Sequence, residues 1–171
     1  MAEFVNFEVV ELPKLHLIGK ELRHNMEAIM TGENKIPGFW EECMADNVFK
    51  TLEEQADFLY DKAYVGVMMD WERGDGNFSY IVGMLFKDGV KAPEGFIMKE
   101  LEPTKAAVGW IKGKDVFDVC KDAHQMTEAV LKEKGLNCDK IYWCMEHYDG
   151  ERFLIPDENG DIILDYYIPV E

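Results

Sequence analysis

The hydrophobic pattern of the chain alternates between β-rich runs and amphipathic helical segments. The opening run, FEVVELPKLHLIGKELR, is typical of two strands separated at Pro13, because proline cannot donate to a strand ladder. Over residues 37–62 the apolar positions recur at near-helical spacing with acidic residues between them, which predicts an amphipathic helix in one or two pieces. The apolar runs AYVGVMMDW and SYIVGMLF follow, and the Gly74-Asp75-Gly76 segment between them predicts a hairpin.

The second half of the chain repeats this order. The run FIMKELEPTKAAVGWIKG resembles the opening run, with Pro103 and Gly109 about 90 residues after Pro13 and Gly19. A helix over residues 115–135 and a second hairpin, from KIYWCMEHYDG to DIILDYYIPVE, complete the repeat. Each half therefore predicts strand, strand, helix and hairpin.

These elements predict an α+β fold in a single domain over residues 1–171, with module one at about 1–90 and module two at about 91–171. A duplication of this length suits modules related by a pseudo-two-fold axis. In this prediction each module lays its helix on the outer face of an antiparallel sheet. The opposite faces would then border a central ligand groove.

The net charge of the chain indicates which classes of partner it repels and which it attracts. Asp and Glu number 34 against 18 Lys and Arg, which gives a formal net charge of −16. Such a charge repels nucleic acid and anionic membrane surfaces and attracts cationic ligands. The chain contains no run of about 18 uncharged apolar residues, and its first residues, MAEFVNFEVVELPK, do not resemble a signal peptide, so we expect a cytoplasmic location.

Neither a metal nor a cofactor is expected from the motifs. The cysteines form no CxxC pair, and Cys120 and His124, four residues apart, have no second pair to complete a metal site. Residues 157–161 imitate the start of a calcium loop, but Ile162 stands where the loop needs glycine, which favours a turn. No catalytic triad spacing, GxSxG motif or glycine-rich phosphate loop is present.

Alternation along the last hairpin sorts its side chains into two faces. In the strand around YWCMEHY, Tyr142, Glu146 and Tyr148 share one face. In the final strand, Asp165 and Tyr167 lie opposite a purely apolar face that is expected to pack on a helix. If the apolar faces of both strands pack on the helix, the other faces line the groove together. The residues on those faces are Tyr142, Glu146, Tyr148, Asp165 and Tyr167.

A carboxylate among aromatic rings has two uses. Glu146 can pair with a cationic ligand, or it can act as a general base on water once burial raises its pKa. Asp165 is the other candidate for the acid that performs either role. The alternative to a groove position is that Glu146 is exposed to solvent on a half-open sheet. Counted from Tyr64 and Tyr142, the counterpart of Glu146 in module one is Met68, so we expect Tyr64 and Met68 to line the groove as well.

Other aromatic residues are candidates for the groove rim. Phe39 and Trp40 stand at a predicted helix start, and Trp71 precedes a hairpin turn. Trp40 as a core anchor between helix and sheet is the alternative. Trp110 and Trp143 are predicted to pack beneath the helices.

Four segments carry a resemblance to a known family: ELPKLHLIGKELR, VGWIKG, YWCMEHYDG and DYYIPVE. In their order and spacing the chain resembles the GyrI-like small-molecule-binding domains, which include effector-binding halves of multidrug-responsive regulators. The resemblance implies a duplicated strand-helix-strand-strand fold and a central groove for bulky, planar, often cationic compounds. It also implies a groove glutamate at Glu146, with Tyr142, Tyr148 and Tyr167 around it.

The chain has no room for the helix-turn-helix unit of the regulators, so the resemblance implies a stand-alone member with one of three activities. The first hypothesis is a protective protein that binds bulky hydrophobic or aromatic xenobiotics. The second is a hydrolase of cyclopropane-containing alkylating genotoxins, in which Glu146 activates water and Tyr167 hydrogen-bonds the carbonyl oxygen. The third is a protein-interaction module that binds a partner protein.

Overall fold

The computed structural model describes residues 1–71, 76–139 and 142–171. The first half of the chain contains two long strands, three short helices, a 3-10 turn at Ala56–Phe58 and a hairpin. In chain order these are β1 (Glu3–Leu12), β2 (Leu15–Asn25), α1 (Met26–Met30), α2 (Ile36–Ala45), α3 (Val48–Glu53), β3 (Tyr64–Met69) and β4 (Asn77–Phe86).

The second half repeats this order with two helices. Its elements are β5 (Ile97–Leu101), β6 (Thr104–Gly113), α4 (Val116–Lys121), α5 (Ala123–Glu133), β7 (Trp143–Tyr148) and β8 (Ile162–Val170). The predicted order of strand, strand, helix and hairpin is confirmed in both halves, and Pro13 separates β1 from β2 as expected. None of the helices in the described part of the chain is long and apolar enough to cross a membrane.

The helical segment predicted in each half is divided into two helices. Asn47 adopts the left-handed conformation, with φ of 55°, and this separates α2 from α3. Asp122 interrupts the helical segment of the second half between α4 and α5. Asp115 caps α4, because its side chain accepts a hydrogen bond from the Asp118 amide at 2.9 Å. Gly135, with φ of 67°, ends the last turn after α5.

Strand pairing divides the chain into two compact units. Unit 1 consists of Met1–Pro13 and Glu102–Glu171, and unit 2 consists of Lys14–Leu101. In unit 1 the antiparallel strand order is β1-β6-β8-β7, and in unit 2 it is β3-β4-β2-β5. The first strand of each repeat therefore pairs with the second strand of the other repeat, so the units do not coincide with the predicted modules at about 1–90 and 91–171. The pseudo-two-fold axis and the central groove stay predictions.

Helices cover one face of the strands within each unit. In unit 2 the core between helices and strands includes Phe49, Leu52, Phe78 and Tyr80. In unit 1 α5 approaches β6 so closely that a Cβ on Gly109 would lie 2.5 Å from the Thr127 hydroxyl. The sequence leaves room for α5 by placing glycine at this position.

The connections of the two hairpins agree with their turn signals. Gly76 has a φ of 74°, as a tight connection requires, whereas Gly74 and Asp75 lie outside the described residues. In the second hairpin residues 157–161 form the predicted turn, in which Asp157 accepts hydrogen bonds from the amides of Asn159 and Asp161. The ammonium of Lys112 lies 2.9 Å from the Asp157 carboxylate.

Candidate ligand-binding site around Glu146

The register of the last hairpin decides which side chains share a face. Glu146 of β7 stands directly opposite Tyr166 of β8, and His147 stands opposite Asp165. Directly opposed residues of an antiparallel pair project to the same side of the sheet. Glu146 therefore lies on the Tyr166 face, and Asp165 and Tyr167 lie on the other. The prediction that Glu146 shares a face with Asp165 and Tyr167 is wrong.

The error arises because β7 is apolar on both sides. One face of β7 carries the buried Cys144 and Tyr148 beside Glu146, and the other carries the buried Trp143, Met145 and His147. Hydrophobicity identifies the helix-facing side of a strand only when the other side is polar. In β7 it does not discriminate between the two faces.

Glu146 lies on the face that α4 and α5 cover, so the prediction that it faces away from the helices is wrong. His124 of α5 is hydrogen-bonded to Tyr166, with 3.1 Å between Nδ1 and the hydroxyl oxygen. Cys120 of α4 lies with its Sγ 3.6 Å from the Tyr148 hydroxyl, and the Glu146 charge acts on its thiol. The partly buried Glu146 thus lies in a layer of tyrosines and thiols between the helices and the sheet of unit 1.

Three titratable groups near Glu146, the thiols of Cys120 and Cys144 and the imidazole of His124, are held in their neutral forms. Burial raises the pKa of the Cys120 thiol, and the Glu146 carboxylate raises it further. Burial also raises the pKa of Cys144 to about 12, and the Tyr166 hydroxyl acts in the opposite direction. For His124, burial lowers the pKa below its ordinary value. These three groups therefore add no fixed charge near Glu146.

On the opposite face, Asp165 is only 2% exposed and is bound by a guanidinium of the same chain. Arg152 donates to it twice, from Nε at 3.2 Å and from Nη2 at 2.6 Å. His147 lies 4.0 Å from the Asp165 carboxylate, and the ring of Tyr167 packs on that of His147. Burial raises the pKa of Asp165, while the hydrogen bonds from Arg152 act in the opposite direction. This cluster is an ion pair between a buried carboxylate and a partly exposed guanidinium, separate from Glu146.

Two tryptophans belong to the Asp165 face. Trp110 of β6 is directly opposite Asp165, and Arg152 lies over its ring at 4.3 Å from the centroid. Trp143 shares one face of β7 with Met145 and His147, opposite the face of Glu146, and so points away from the helices. The prediction that both pack beneath the helices is wrong, because the segment that carries Arg152 covers this face and gives large aromatic rings a second place to be buried.

Unit 2 repeats the arrangement with an apolar residue in place of the acid. Met68 of β3 stands directly opposite Tyr80 of β4, as Glu146 stands opposite Tyr166. Trp40 of α2 donates from its indole nitrogen to the Tyr80 hydroxyl at 2.8 Å. The assignment of Met68 as the counterpart of Glu146 thus agrees with the register of each hairpin.

The other predicted ligand contacts of unit 2 are partly buried. Tyr64 stacks on Phe49 with 3.7 Å between ring centroids, and its hydroxyl donates to Glu53 at 3.1 Å. Phe39 packs at the edge of the same core and lines a cleft of about 360 Å³ with Glu42. These contacts bring Trp40, Tyr64 and Met68 to the core of unit 2, which also supports the alternative of Trp40 as a core anchor.

Two predicted contacts are largely exposed. Trp71 is 39% exposed and stacks on Phe78 with centroids 6.2 Å apart. Tyr142 precedes β7 and is 68% exposed. Tyr148, in contrast, is buried with its ring edge-on to Phe153.

Sequence reasoning missed Cys120, His124 and Tyr166 as neighbours of Glu146. The signal was the spacing of Cys120 and His124, because residues four apart project to one side of a helical segment. That spacing suggested only an incomplete metal pair. Within the described ranges no group of three or more His, Cys, Asp or Glu side chains is arranged to hold a metal ion.

The duplicated order of strands and helices, with a glutamate under the helices of one unit, defines a GyrI-like small-molecule-binding domain, and the resemblance seen in the sequence is confirmed. Residues 8–170 match the family model described as Cass2, integron-associated effector binding protein. The chain belongs to this family. No curated protein matches the chain at a significant level.

Solved structures share the fold at low sequence identity. SAV2435 bound to tetraphenylphosphonium has a TM-score of 0.71 and 16% identity, over 98% of this chain and 94% of that chain. An integron cassette protein of Vibrio cholerae has a TM-score of 0.63 and 16% identity, over 99% of each chain. The C-terminal domain of EcmrR has a TM-score of 0.54 and 15% identity, over 98% of each chain.

Proposed function

We propose that this chain binds bulky, hydrophobic, aromatic cations, and that the Glu146 carboxylate pairs with the positive charge of the ligand. The observation that carries the proposal is the placement of Glu146 beside Tyr148 and Tyr166, beneath α4 and α5. A protective role against xenobiotics follows from this binding activity.

The surroundings of Glu146 suit a cation with an apolar body. An ion pair gains strength where packed side chains exclude water, and the faces of aromatic rings attract cations as well. The net charge of −16 adds a long-range attraction for cations. The structure of SAV2435 with tetraphenylphosphonium adds a further argument, because that fold neighbour holds a ligand of this class.

The test is a comparison of tetraphenylphosphonium binding to the wild-type protein and to Glu146→Gln by isothermal titration calorimetry. The substitution keeps the shape of the side chain and removes its charge. We expect the affinity to fall about tenfold or more, which corresponds to roughly 1.4 kcal/mol. Triphenylphosphine oxide, a neutral aromatic probe of related shape, should lose much less affinity.

The matched control is Glu151→Gln, which changes the net charge equally at an exposed position of unit 1. We expect it to bind tetraphenylphosphonium as the wild type does. Wild-type affinity in Glu146→Gln, or no binding by the wild-type protein, would contradict the proposal.

Hydrolysis of cyclopropane-containing compounds draws less support from the residue positions. Its proposed pair, Glu146 and Tyr167, projects to opposite faces, so Tyr167 is not placed to assist Glu146. Mass spectrometry of such a compound after incubation with the protein distinguishes the two activities. A water adduct formed at turnover and lost in Glu146→Gln would favour the hydrolase, whereas unchanged compound favours the binder.

A further inference from the structure

The cleft beside Phe39 lies where the edge strand of unit 2 begins. Its volume is about 360 Å³, and it is bordered by α2, by β2 and by the chain at the start of β5. Phe39, Cys43 and Ile97 provide its apolar walls. Glu42 and Asp46 line it with carboxylates. All of these residues belong to unit 2, and we refer to the site as the α2 cleft.

One border of the α2 cleft is a stretch of β2 without a strand partner on its outer side. β5 pairs with β2 only as far as Gly19, and within the described ranges no strand pairs with residues 20–22 on that side. Gly95, with φ of 81°, turns the chain away from the edge, and the Lys20 ammonium donates to its carbonyl at 2.7 Å. The exposure of β2 changes at the same point, since Gly19 is buried and Glu21 is exposed. Such an edge offers amide and carbonyl groups to another extended chain.

The two carboxylates of the α2 cleft lie close to one another in the sequence of α2. Glu42 and Asp46 are four residues apart, which places them on one side of the helix. Neither forms a salt bridge within the part of the chain that the structure describes. The Lys20 ammonium, which also borders the cleft, is bound to the Gly95 carbonyl and lies 4.3 Å from the centroid of the Phe96 ring.

This arrangement of charge is unfavourable for the isolated helix. Like charges at a spacing of four repel each other, and the C-terminal end of a helix disfavours negative charge. Glu42 lies near that end, and Asp46 is the C-terminal capping residue of α2. A cationic group bound in the cleft would relieve both effects.

We propose that the α2 cleft and the adjoining edge of β2 bind an extended, basic segment of a partner protein. The segment adds a strand beside residues 20–22, and one of its arginine or lysine side chains pairs with Glu42 and Asp46. The aliphatic part of that side chain packs on Phe39 and Ile97, as long basic side chains do on apolar surface. This activity goes beyond the binding of cations at Glu146, and it uses residues of unit 2 alone.

The features of the site favour a peptide over other occupants. A small cation pairs with the carboxylates but leaves the strand edge to water, whereas an extended basic peptide satisfies both. The net charge of −16 repels nucleic acid, anionic membranes and a second copy of this chain. The same charge attracts a basic segment.

The experiment follows the amide signals of the isotopically labelled protein by nuclear magnetic resonance during titration with a peptide. The probe is the blocked pentapeptide Thr-Val-Arg-Val-Thr, in which residues of high β-propensity surround one arginine. We expect the amide signals of residues 20–22 to shift at millimolar peptide, and their exchange with solvent to slow.

Two altered peptides separate charge from strand pairing. Replacement of the arginine by glutamate should abolish binding, because the cleft then repels the side chain. Methylation of the backbone nitrogens keeps the positive charge but removes the donors of a strand ladder. It should weaken binding about tenfold or more.

The protein variants test the carboxylates. The double variant Glu42→Gln with Asp46→Asn should bind the arginine peptide about tenfold more weakly. It is expected to fold at least as stably as the wild type, since it removes the repulsion at the end of α2. The matched control is Glu41→Gln with Glu54→Gln, which changes the net charge equally at exposed positions outside the cleft and should keep wild-type affinity.

Three results would overturn the inference. The first is the absence of shifts at residues 20–22 in the presence of the arginine peptide. The second is equal affinity for the methylated peptide, because the cleft would then take a cation and no strand. The third is wild-type affinity in the double variant.

Glu146→Gln distinguishes this inference from the proposed function. It should bind the arginine peptide as the wild type does while it loses tetraphenylphosphonium. If it keeps tetraphenylphosphonium, the proposed function fails and the peptide site is unaffected. If the arginine peptide does not bind while tetraphenylphosphonium depends on Glu146, only the peptide site is refuted.

Discussion

At the residue scale, Asp165 illustrates how burial and pairing act on one carboxylate. The side chain is almost completely enclosed, and Arg152 supplies two hydrogen bonds and a compensating charge. Removal of one partner from a buried ion pair leaves an uncompensated charge, which costs far more than the pair contributes when intact. Arg152 is therefore expected to be more important for stability than for binding.

We predict that Arg152→Ala lowers the free energy of unfolding by about 2–4 kcal/mol at pH 7, as measured by urea denaturation. Burial raises the pKa of Asp165 in the folded protein, and loss of Arg152 raises it further. Above that pKa the charged carboxylate of Asp165 destabilises the folded variant. This destabilisation is lost as the pH falls through the pKa. The deficit of the variant relative to wild type should therefore shrink as the pH is lowered from 7.

The double variant Arg152→Ala with Asp165→Asn controls for this effect, because it has no carboxylate to protonate at position 165. Its deficit should not change with pH. Lys132→Ala removes a cation from an exposed pair with Glu128 and should change stability by less than about 0.5 kcal/mol. A stability deficit of Arg152→Ala that stays constant as the pH is lowered from 7 would refute the assignment of Arg152 as the group that compensates the charge of Asp165.

At the element scale, the approach of α5 to β6 depends on one missing side chain. A Cβ on Gly109 would lie 2.5 Å from the Thr127 hydroxyl and 2.6 Å from the ring of Phe4. Thr127 is fully buried, and its hydroxyl donates to the Ala123 carbonyl, so it has little freedom to withdraw. The helix would have to move away from the strand.

We predict that Gly109→Ala lowers the free energy of unfolding by about 1–3 kcal/mol, the usual cost of overpacking a filled core. Gly38→Ala is the matched control, since a Cβ there meets nothing within 4 Å and the residue lies in α2. It should raise stability by about 0.5–1 kcal/mol through helix propensity. If Gly109→Ala and the wild type were equally stable in urea unfolding, α5 would be able to move away from β6 at no cost, and the prediction would be wrong.

The order of strands and helices could be predicted from the sequence, but the register in which β7 pairs with β8 could not. Alternation correctly placed Glu146 and Tyr148 on one face of β7, because side chains of one strand alternate whatever its partner does. The pairing of β7 with β8 is fixed by the connection over residues 149–161, whose turns and Arg152 contacts no periodicity reveals. A shift of one residue in the pairing exchanges the faces of β7, which is why Glu146 and Tyr148 were assigned to the side that carries Asp165 and Tyr167.

At the scale of the whole molecule, charge is the property most readily tested. The net charge of −16 attracts cations from solution, and salt screens this attraction over a Debye length of about 8 Å at physiological ionic strength. The direct pairing of a ligand with the partly buried Glu146 is screened less. Binding should therefore have one contribution that depends strongly on salt and one that depends on salt weakly.

We predict that tetraphenylphosphonium affinity falls about two- to fivefold between 20 mM and 300 mM NaCl, while triphenylphosphine oxide affinity does not fall. Calorimetric titrations at the two salt concentrations measure both values. Glu146→Gln should keep the salt dependence of the wild type at a lower overall affinity. A loss of affinity with salt that is equal for the neutral and the cationic probe would refute the electrostatic contribution.

The exchange of first strands between the repeats has a consequence for biosynthesis. Strand β1 leaves the ribosome early, but the segment it pairs with, β6, is translated only after all of unit 2. The nascent chain must therefore carry an unsatisfied strand past a neighbour that is already able to fold. Delayed pairing of this kind leaves the edge of β1 exposed during synthesis, a condition that favours aggregation.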